Sequence, residues 1–280
     1  LSVENLTKIY SKNNKTSIIN KALNKLSFEV KQGEVFGLLG PNGAGKTTFL
    51  SILAGTVSKT EGKINVWGFD LDLNPRQVRA SIGIVPQEVN LDAFFSPRQL
   101  LELQAGLYGV PQKDRITDII LKMVALEKQA DSYARSLSGG MKRRLLIAKA
   151  MVHQPPILVL DEPTAGVDVE LRKNLWENVK ALNKEGVTII LTTHYLFEAQ
   201  EMCDRIAIID KGNLVALDTT QKLLDRIQTK KITFKVLEGY DKKGLSLSGV
   251  LFNSKSNNFI TAIYEKNSYK FDDIANVLKK

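Results

Sequence analysis

Apolar residues occur along most of the chain in short continuous runs, separated by segments with helical spacing. Runs at residues 35–39, 157–160, 187–191 and 205–209 have the length of strands and contain few polar positions. The apolar spacing between them predicts helices, one of which covers residues 169–182. Strands that are apolar on both faces and joined by helices are typical of a parallel sheet covered on both sides. The pattern therefore predicts an α/β fold.

Alternation of apolar and polar residues near both ends of the chain predicts strands with one buried face. It occurs at residues 26–30 and 63–67, and again at 232–236, after a helix predicted near 219–227. Helical spacing then returns at residues 271–278. This change predicts a main domain over residues 1–227 and a small C-terminal module over residues 228–280. We expect the module to have a core of its own, built from Phe234, Phe259 and Phe271.

Helical spacing dominates the middle of the chain. Ser96 and Pro97 are suited to the N-cap and first position of a helix, several leucines follow, and Gly109 is suited to its end. A second helix is predicted over residues 114–124. This part of the chain is therefore expected to form a helical layer beside the sheet.

The composition is that of a globular protein with a basic C-terminal part. Of the 280 residues, 43% are hydrophobic and 25% are charged, and the net charge is +9. Residues 225–280 contain eleven Lys and Arg against six Asp and Glu. Because these charges are scattered rather than clustered with aromatics, a solvated surface is favoured over contact with nucleic acid or an anionic membrane.

Neither a membrane span nor a disulfide is predicted. No segment approaches about 18 consecutive apolar residues, and the N-terminus lacks the layout of a signal peptide, so a cytoplasmic location is expected. Cys203 is the single cysteine, which excludes an internal disulfide. No paired base is evident, so Cys203 is interpreted as a small buried hydrophobic residue on a helix rather than a catalytic thiol.

A glycine-rich segment follows the first apolar run and matches the phosphate-binding pattern G-x-x-x-x-G-K-[ST]. In this pattern backbone N–H groups approach phosphate oxygens, the lysine reaches the outer phosphates, and the first hydroxyl is available to Mg²⁺. A chance glycine-rich turn is the alternative, but the preceding strand and the following helix favour a nucleoside triphosphate site. The segment consists of Gly40, Pro41, Asn42, Gly43, Ala44, Gly45, Lys46, Thr47 and Thr48.

Two adjacent acids end the apolar run at residues 157–160. Ligands of open α/β sheets bind at the carboxyl ends of strands, so Asp161 and Glu162 are expected to face the nucleotide. Asp161 is suited to holding Mg²⁺, and Glu162 to acting as the general base that deprotonates the attacking water. The alternative, two solvated acids that cap the next element, is disfavoured because Lys46 lies upstream.

A second candidate anion site lies between these motifs. Leu137-Ser-Gly-Gly precedes a helix, and a serine N-cap with glycines at a helix N-terminus can bind an anion. With this motif, residues 1–227 clearly resemble the ABC ATPase family. The resemblance implies a P-loop NTPase of ABC type with a mainly parallel sheet core, an antiparallel β subdomain, a helical subdomain at about residues 88–135, and a small C-terminal α+β module.

The resemblance also implies that two copies pack head to tail around ATP and Mg²⁺. Ser138, Gly139 and Gly140 of one copy would then contact the γ-phosphate that is held by Lys46 of the other. Asp168 resembles the family residue that links the two copies, although a helix N-cap is an alternative or additional role. Each site would therefore need two chains.

Further site residues follow from the resemblance. Gln87 resembles the glutamine that reaches Mg²⁺ and the attacking water, and His194 the switch histidine that contacts the γ-phosphate. Tyr10 resembles the aromatic residue that stacks on adenine, with an edge-strand tyrosine as the competing interpretation. His153, before two prolines, is expected to be structural.

The resemblance implies a function in transport. A separate membrane permease would dock on the helical subdomain, so the chain is expected on the cytoplasmic face of the membrane. No nucleic acid partner is expected. The segments 162–168 and 192–205 are similar to bacterial type 2 exporters of drugs, lipids or polysaccharides. An importer subunit with a C-terminal regulatory module remains an alternative. A non-transport ABC ATPase of DNA repair or ribosomes is less favoured, because no coiled coil, zinc-binding cysteines or second cassette is evident.

Overall fold

The computed structural model describes residues 1–11, 19–165, 169–226, 229–236, 245–256, 259–265 and 268–278. The chain divides into two compact units, Leu1–Thr220 and Gln221–Lys280. The boundary predicted from the sequence lies after residue 227, whereas this division lies between Thr220 and Gln221, at the start of the predicted helix near residues 219–227.

Strands and helices alternate through the first unit. Its strands are β1 (Ser2–Ser11), β2 (Ile19–Glu29), β3 (Val35–Leu39), β4 (Glu61–Val66), β5 (Phe69–Asp70), β6 (Ile82–Val85), β7 (Ile157–Asp161), β8 (Thr188–Thr193), β9 (Arg205–Asp210) and β10 (Asn213–Thr219). Its helices are α1 (Lys46–Leu53), α2 (Pro75–Ala80), α3 (Pro97–Leu107), α4 (Thr117–Met123), α5 (Gly139–Met151), α6 (Val169–Lys184) and α7 (Leu196–Met202), and α8 (Thr220–Asp225) begins at its last residue.

The central sheet has the order β10-β9-β3-β8-β7-β6. All neighbouring pairs from β9 to β6 are parallel, and β10 pairs antiparallel with β9. Every residue of β3 and β8 is buried, as expected for strands covered on both faces. This arrangement confirms the predicted parallel core and brings the carboxyl ends of β3, β8, β7 and β6 to one edge.

A second, antiparallel sheet has the order β2-β1-β4-β5. Phe28 of β2 joins it to the central core, because its ring stacks on Phe36 of β3 and meets Phe49 of α1 edge-on, both at 5.3 Å between centroids. Aromatic pairs in these geometries contribute about 0.5–1.5 kcal/mol beyond the area that they bury. This packing holds α1, and with it the end of the phosphate-binding segment, against both sheets.

The predicted helices lie in the chain segment that connects β6 to β7. Helix α3 begins as predicted, with Ser96 as N-cap and a reciprocal capping box between Ser96 and Gln99. The predicted second helix begins later than residue 114, because residues 112–114 form a 3₁₀ turn after Pro111 and the regular helix starts at Thr117. The prediction was therefore right about the helix and wrong about its first turn.

Cys203 lies immediately after α7 and is buried. It packs so closely against Gly37 that a Cβ atom at that glycine would lie 2.8 Å from Sγ. Burial, together with the nearby carboxylates of Asp204 and Glu198, raises the pKa of the thiol to about 12. The thiol is therefore protonated near neutral pH and packs as a hydrophobic residue, as the sequence predicted.

The second unit contains an antiparallel sheet and a helix. Its elements are β11 (Thr229–Lys235), β12 (Val250–Ser256), β13 (Phe259–Glu265) and α9 (Phe271–Leu278), with strand order β11-β13-β12. The core consists of Ala262, Tyr264 and Ile274, with Ile232, Phe234, Leu247, Val250, Phe252 and Tyr269 packed against them.

The predicted aromatic core of this unit is wrong for Phe259 and only partly right for Phe271, whose ring lies 5.8 Å from that of Phe234 between centroids. Phe234 packs against the core, but Phe259 and Phe271 are 44% and 57% exposed. Phe259 alternates with the buried Ile260 along β13, so its side chain lies on the opposite face of the sheet.

Across the described residues, no helix is both long enough and apolar enough to cross a bilayer.

Candidate nucleotide site

The phosphate-binding segment forms a tight loop between β3 and α1 that only glycine can build at several positions. Gly43 and Gly45 have φ of +80° and +109°, in the left-handed region that disfavours side chains. A Cβ atom at Gly40 would lie 2.3 Å from the carbonyl oxygen of Ile209, and one at Gly45 would lie 2.6 Å from that of Ala22. The backbone thus forms a close-fitting cradle, which suits phosphate oxygens.

Lys46 begins α1 and is almost fully buried, with 4% of its surface exposed. Its Nζ donates hydrogen bonds to the carbonyl oxygens of Gly40 and Pro41, at 2.7 and 3.2 Å. The same ammonium lies 3.3 Å from Oε1 of Glu162. The structure therefore brings together the cation and the carboxylate that the sequence had assigned to one site.

The side chain of Glu162 contacts residues from several segments of the chain. Its Oε2 lies 3.1 Å from Nδ1 of His194 and accepts a hydrogen bond from Nε2 of Gln87 at 3.4 Å. Its backbone has φ of +43° and is held by a hydrogen bond from its N–H to Oγ1 of Thr192, at 3.0 Å. Lys46, Gln87 and His194, which come from three other segments, therefore all contact one largely buried carboxylate.

Asp161 lies beside this cluster at the end of β7. It accepts a hydrogen bond from Oγ1 of Thr192 at 2.6 Å, so this threonine links both acids. Burial raises the pKa of Asp161, with a further contribution from the charge of Glu162, while the Thr192 hydrogen bond opposes the shift. A cation bound near Asp161 would lower this pKa and favour the charged carboxylate.

An open cavity of about 650 Å³ contains the cluster. Tyr10 lines the cavity near the C-terminal end of β1. Among the described strands, this end of β1 pairs only with β2, because the pairing with β4 ends at Thr7. The lining also includes residues that the sequence analysis missed, namely Asn20, Lys21, Ala22, Ala165 and Lys211. The sequence carries no local pattern for Asn20, Lys21, Ala22 and Lys211, because they reach the cavity through the pairing of β1 with β2 and the turn after β9. Ala165 reaches it from the loop after β7, three residues beyond Glu162.

The candidate metal ligands are Thr47, Gln87 and Asp161. Thr47 and Gln87 line the cavity, and Asp161 directly precedes Glu162, which also lines it. No group of three or more His, Cys, Asp or Glu residues suited to a metal occurs in the part of the chain that the structure describes. One carboxylate with hydroxyl and amide oxygens does fit Mg²⁺, which is usually held jointly by the protein and substrate phosphates. When bound, Mg²⁺ neutralises charge on the outer phosphates.

The second candidate anion site lies at the N-terminus of α5. Ser138 is its N-cap, and its Oγ accepts a hydrogen bond from the N–H of Met141 at 3.3 Å. Among the described residues that line the cavity, none belongs to this helix start of Ser138, Gly139 and Gly140. Within one chain, the structure therefore does not bring this site to Lys46. Asp168, the proposed link between copies, lies outside the described residues.

Arg143 connects α5 to the cavity, a role that the sequence analysis did not assign. Its guanidinium donates hydrogen bonds to the carbonyl oxygens of Pro86 and Ala165, at 3.3 and 3.4 Å. These carbonyls belong to residues beside Gln87 and close to Glu162. Burial lowers the pKa of Arg143, and its hydrogen bonds join the helix of the second anion site to two of the loops around the cavity.

His153 takes a structural place, separate from the residues that line the cavity. Its ring stacks on Tyr108 with 3.7 Å between centroids, and its Nε2 lies 3.1 Å from the carbonyl oxygen of Ile82. Burial lowers its pKa, so the neutral form is favoured. The residue joins the end of α3 to the central sheet.

Comparison with known proteins places these features among ATP-binding cassettes. A family model described as ABC transporter matches residues 23–165. The linearmycin resistance ATP-binding protein LnrL of Bacillus subtilis is 40% identical over 230 residues, which cover 81% of this chain and 71% of that protein. The Nod factor export ATP-binding protein I of Mesorhizobium japonicum is 42% identical over 205 residues, covering 72% of this chain and 60% of its own length.

Solved structures of ATP-binding cassettes are also similar to this chain. One is the ATP-binding cassette MJ0796, in a dimeric post-hydrolysis state bound to ADP and Pi, with a TM-score of 0.67 and 27% identity. The match covers 78% of this chain and 98% of that one. Another is cbiO1 from Clostridium perfringens, part of the ABC transporter complex cbiONQ, with a TM-score of 0.70 and 29% identity over 80% of this chain and 90% of that one.

Proposed function

Because this chain belongs to the ABC transporter family of ATP-binding proteins, we propose that it is the ATP-hydrolysing subunit of a membrane exporter. The observation that supports hydrolysis is the contact of Lys46, Gln87 and His194 with the single carboxylate of Glu162. Relatives named for Nod factor export and for linearmycin resistance support the direction of transport. An importer subunit is the alternative, since fold and catalytic residues do not determine direction.

The proposed reaction is attack of water on the γ-phosphate of ATP, which breaks the bond between the γ-phosphorus and the oxygen that bridges it to the β-phosphate and releases ADP and phosphate. Lys46 and the backbone of the loop hold the outer phosphates, while Thr47, Asp161 and Gln87 would hold Mg²⁺. Glu162 accepts the proton of the attacking water, and His194 positions Glu162 and contacts the γ-phosphate. Tyr10 stacks on adenine. Because little covalent chemistry is asked of the protein, positioning and charge neutralisation supply most of the rate.

Completion of the site requires a second copy of the chain in this proposal. The helix start at Ser138 is a separate anion site that the chain itself does not bring to Lys46, and a head-to-tail pair would bring the two together. Asp168 would contact the partner copy across the same interface. The dimeric cassette structures among the similar proteins support this arrangement.

The permease is proposed to dock beside the helical segment, on the cytoplasmic face of the membrane. A groove of about 230 Å³ lies between α3 and the central sheet, lined by Arg79, Ile84, Pro86, Gln104 and Tyr108 among others. Pro86 directly precedes Gln87, so a segment in this groove would contact the loop that carries a proposed catalytic residue. Leu103 and Leu107 on α3 are 52% and 74% exposed and add apolar surface nearby.

Export can be tested by expressing the chain together with a candidate membrane permease and purifying the pair. We expect the two to co-purify and to accumulate substrate inside inverted membrane vesicles when ATP is added, because ATP then reaches the cytoplasmic face. The Lys46→Ala variant serves as the control without transport. ATP-dependent loss of substrate from inverted vesicles would identify an importer instead.

Removal of residues 229–280, which form most of the C-terminal unit, should leave nucleotide binding intact. The phosphate loop, the acids and every other described residue around the cavity belong to the first unit, and the second unit has a core of its own. We expect a chain ending at residue 228 to fold and bind ATP with an affinity within about threefold of the full chain, with altered dimerisation or transport. Fluorescence titration with a nucleotide analogue and thermal unfolding measure this.

Loss of folding or of nucleotide binding in the shortened chain would show that the boundary is wrong. Dimerisation and transport measured with the same shortened chain would test the role of the removed residues. Unchanged dimerisation and unchanged transport would mark residues 228–280 as a passive appendage, whereas a change in either supports their proposed role in dimer contact or in coupling to the permease.

A further inference from the structure

Glu198 is a buried carboxylate that the proposed mechanism does not use. It lies on α7, one turn after His194, and only 1% of its surface is exposed. It is not among the described residues that line the nucleotide cavity. Carboxylates are rarely buried to this extent unless they are paired, so the partners of Glu198 indicate what it does.

Three side chains from three segments converge on this carboxylate. Thr164, in the loop after β7, donates its hydroxyl hydrogen to Oε1. Thr193, the last residue of β8, donates its hydroxyl hydrogen to Oε2 at 2.8 Å. Nε of Arg172, on α6, lies 3.7 Å from Oε1. The charge is thus balanced by a cation and by two hydroxyl donors, as a buried acid requires.

The two threonines are placed beside the two residues that handle the attacking water. Thr193 directly precedes His194, and its Oγ1 also accepts a hydrogen bond from the N–H of Tyr195 at 3.0 Å. The backbone is therefore held on both sides of His194. Thr164 lies two residues after Glu162, in a turn where the N–H of Ala165 donates to the Glu162 carbonyl oxygen at 3.1 Å. Glu198 therefore links the turn that follows Glu162 to the turn that carries His194.

Glu198 also contacts residues on both sides of Asp168 in the sequence. Thr164 precedes the segment 165–171 and Arg172 follows it. The contacts of Glu198 therefore reach helix α6, which carries Arg172, as well as the loop after β7 and the end of β8.

We propose that Glu198 is a positioning residue for ATP hydrolysis, which holds the Glu162 turn and the His194 turn at a fixed separation. This inference rests on the proposed function. Glu198 does not touch the nucleotide, so its loss affects the alignment of the hydrolytic pair and leaves the phosphate cradle intact. An error of about 1 Å in such a pair can cost about 100-fold in rate.

The test compares Glu198→Gln with Glu201→Gln in the full chain. Glutamine keeps the size of Glu198, but its NH2 group replaces one of the two carboxylate oxygens, so one of the two threonine hydroxyls meets a donor in place of its acceptor. Glu201 lies on the same helix and is exposed, so its replacement is the matched control. We expect kcat for ATP to fall about 10-fold to 100-fold in Glu198→Gln. The KM for ATP, the affinity for trinitrophenyl-ATP and the thermal midpoint should stay close to those of Glu201→Gln.

A second pair of variants separates positioning from general support of the fold. Thr193→Val removes the hydroxyl and should lower kcat, whereas Thr193→Ser keeps it and should restore most of the rate. In the double variant of Glu198→Gln and Thr193→Val, the loss should be smaller than the product of the two single losses, because both remove the same contact.

Two results would overturn the inference alone: an active wild-type chain in which Glu198→Gln keeps the full kcat, or a kcat that falls only in proportion to the unfolded fraction. A wild-type chain without ATPase activity would overturn the proposed function, and this inference with it.

Discussion

Replacement of Glu162 by glutamine is expected to remove most ATP turnover while ATP binding persists. Glutamine cannot accept the proton of the attacking water, and general-base catalysis of this kind is worth about 10²–10⁴-fold. The amide keeps the size of the side chain, so the loop of Gly40–Thr48 and the contact partners Gln87 and His194 stay in place. Steady-state phosphate release together with a nucleotide-binding titration measures both quantities.

Lys46→Ala should behave differently, because it removes the cation that reaches the outer phosphates. The carbonyl oxygens of Gly40 and Pro41 lose their buried donor as well. We expect both binding and turnover to be lost. Glu185→Gln, an exposed carboxylate beyond α6, is the control and should retain wild-type values. Near-normal turnover in Glu162→Gln would show that Glu162 is not the base.

In the Glu162→Gln background, ATP is expected to convert the chain from monomer to dimer. Each copy is proposed to supply Lys46 to one nucleotide and the helix start at Ser138 to the other, so ATP joins the two surfaces. Slow hydrolysis allows the joined state to accumulate. Light scattering with and without ATP should show the mass doubling, and ADP should not support it because it lacks the γ-phosphate.

Ser138→Arg in this background should abolish the association, because its side chain occupies the position proposed for the partner's phosphate. The substitution also removes the N-cap of α5, which costs about 1 kcal/mol of stability. Ser138→Thr keeps a cap with little added volume and should still dimerise, and thermal unfolding separates the two effects. A chain of Glu162→Gln that stays monomeric at saturating ATP, both alone and with its permease, would contradict the two-copy site.

The candidate site was largely predictable because its determinants are local in sequence. A glycine-rich turn between a strand and a helix needs the residues of Gly40–Thr48 in order, whatever the remainder of the fold does. The acids Asp161 and Glu162 follow an apolar strand, and such strand ends carry the ligands in α/β folds. Local spacing also predicted the parallel core, since burial on both faces leaves continuous apolar runs.

Side-chain direction in the C-terminal unit was less predictable. Phe259 and Phe271 are large apolar residues that composition assigns to a core, yet both are substantially exposed. Which face of β13 is covered depends on where α9 packs, and alternation along a strand allows either face to be buried. Periodicity therefore predicted the elements, and packing decided which residues between them are buried.

The sequence alone determined the phosphate loop, the adjacent acids and the parallel core, because each depends on residues that are neighbours along the chain. The tertiary structure decided which distant residues meet: the contacts of Lys46, Gln87 and His194 with Glu162, and those of Glu198 with Thr164 and Thr193. The physical reason is the strand order β3-β8-β7-β6, which brings four strand ends to one edge of the sheet and buries the carboxylates that join them.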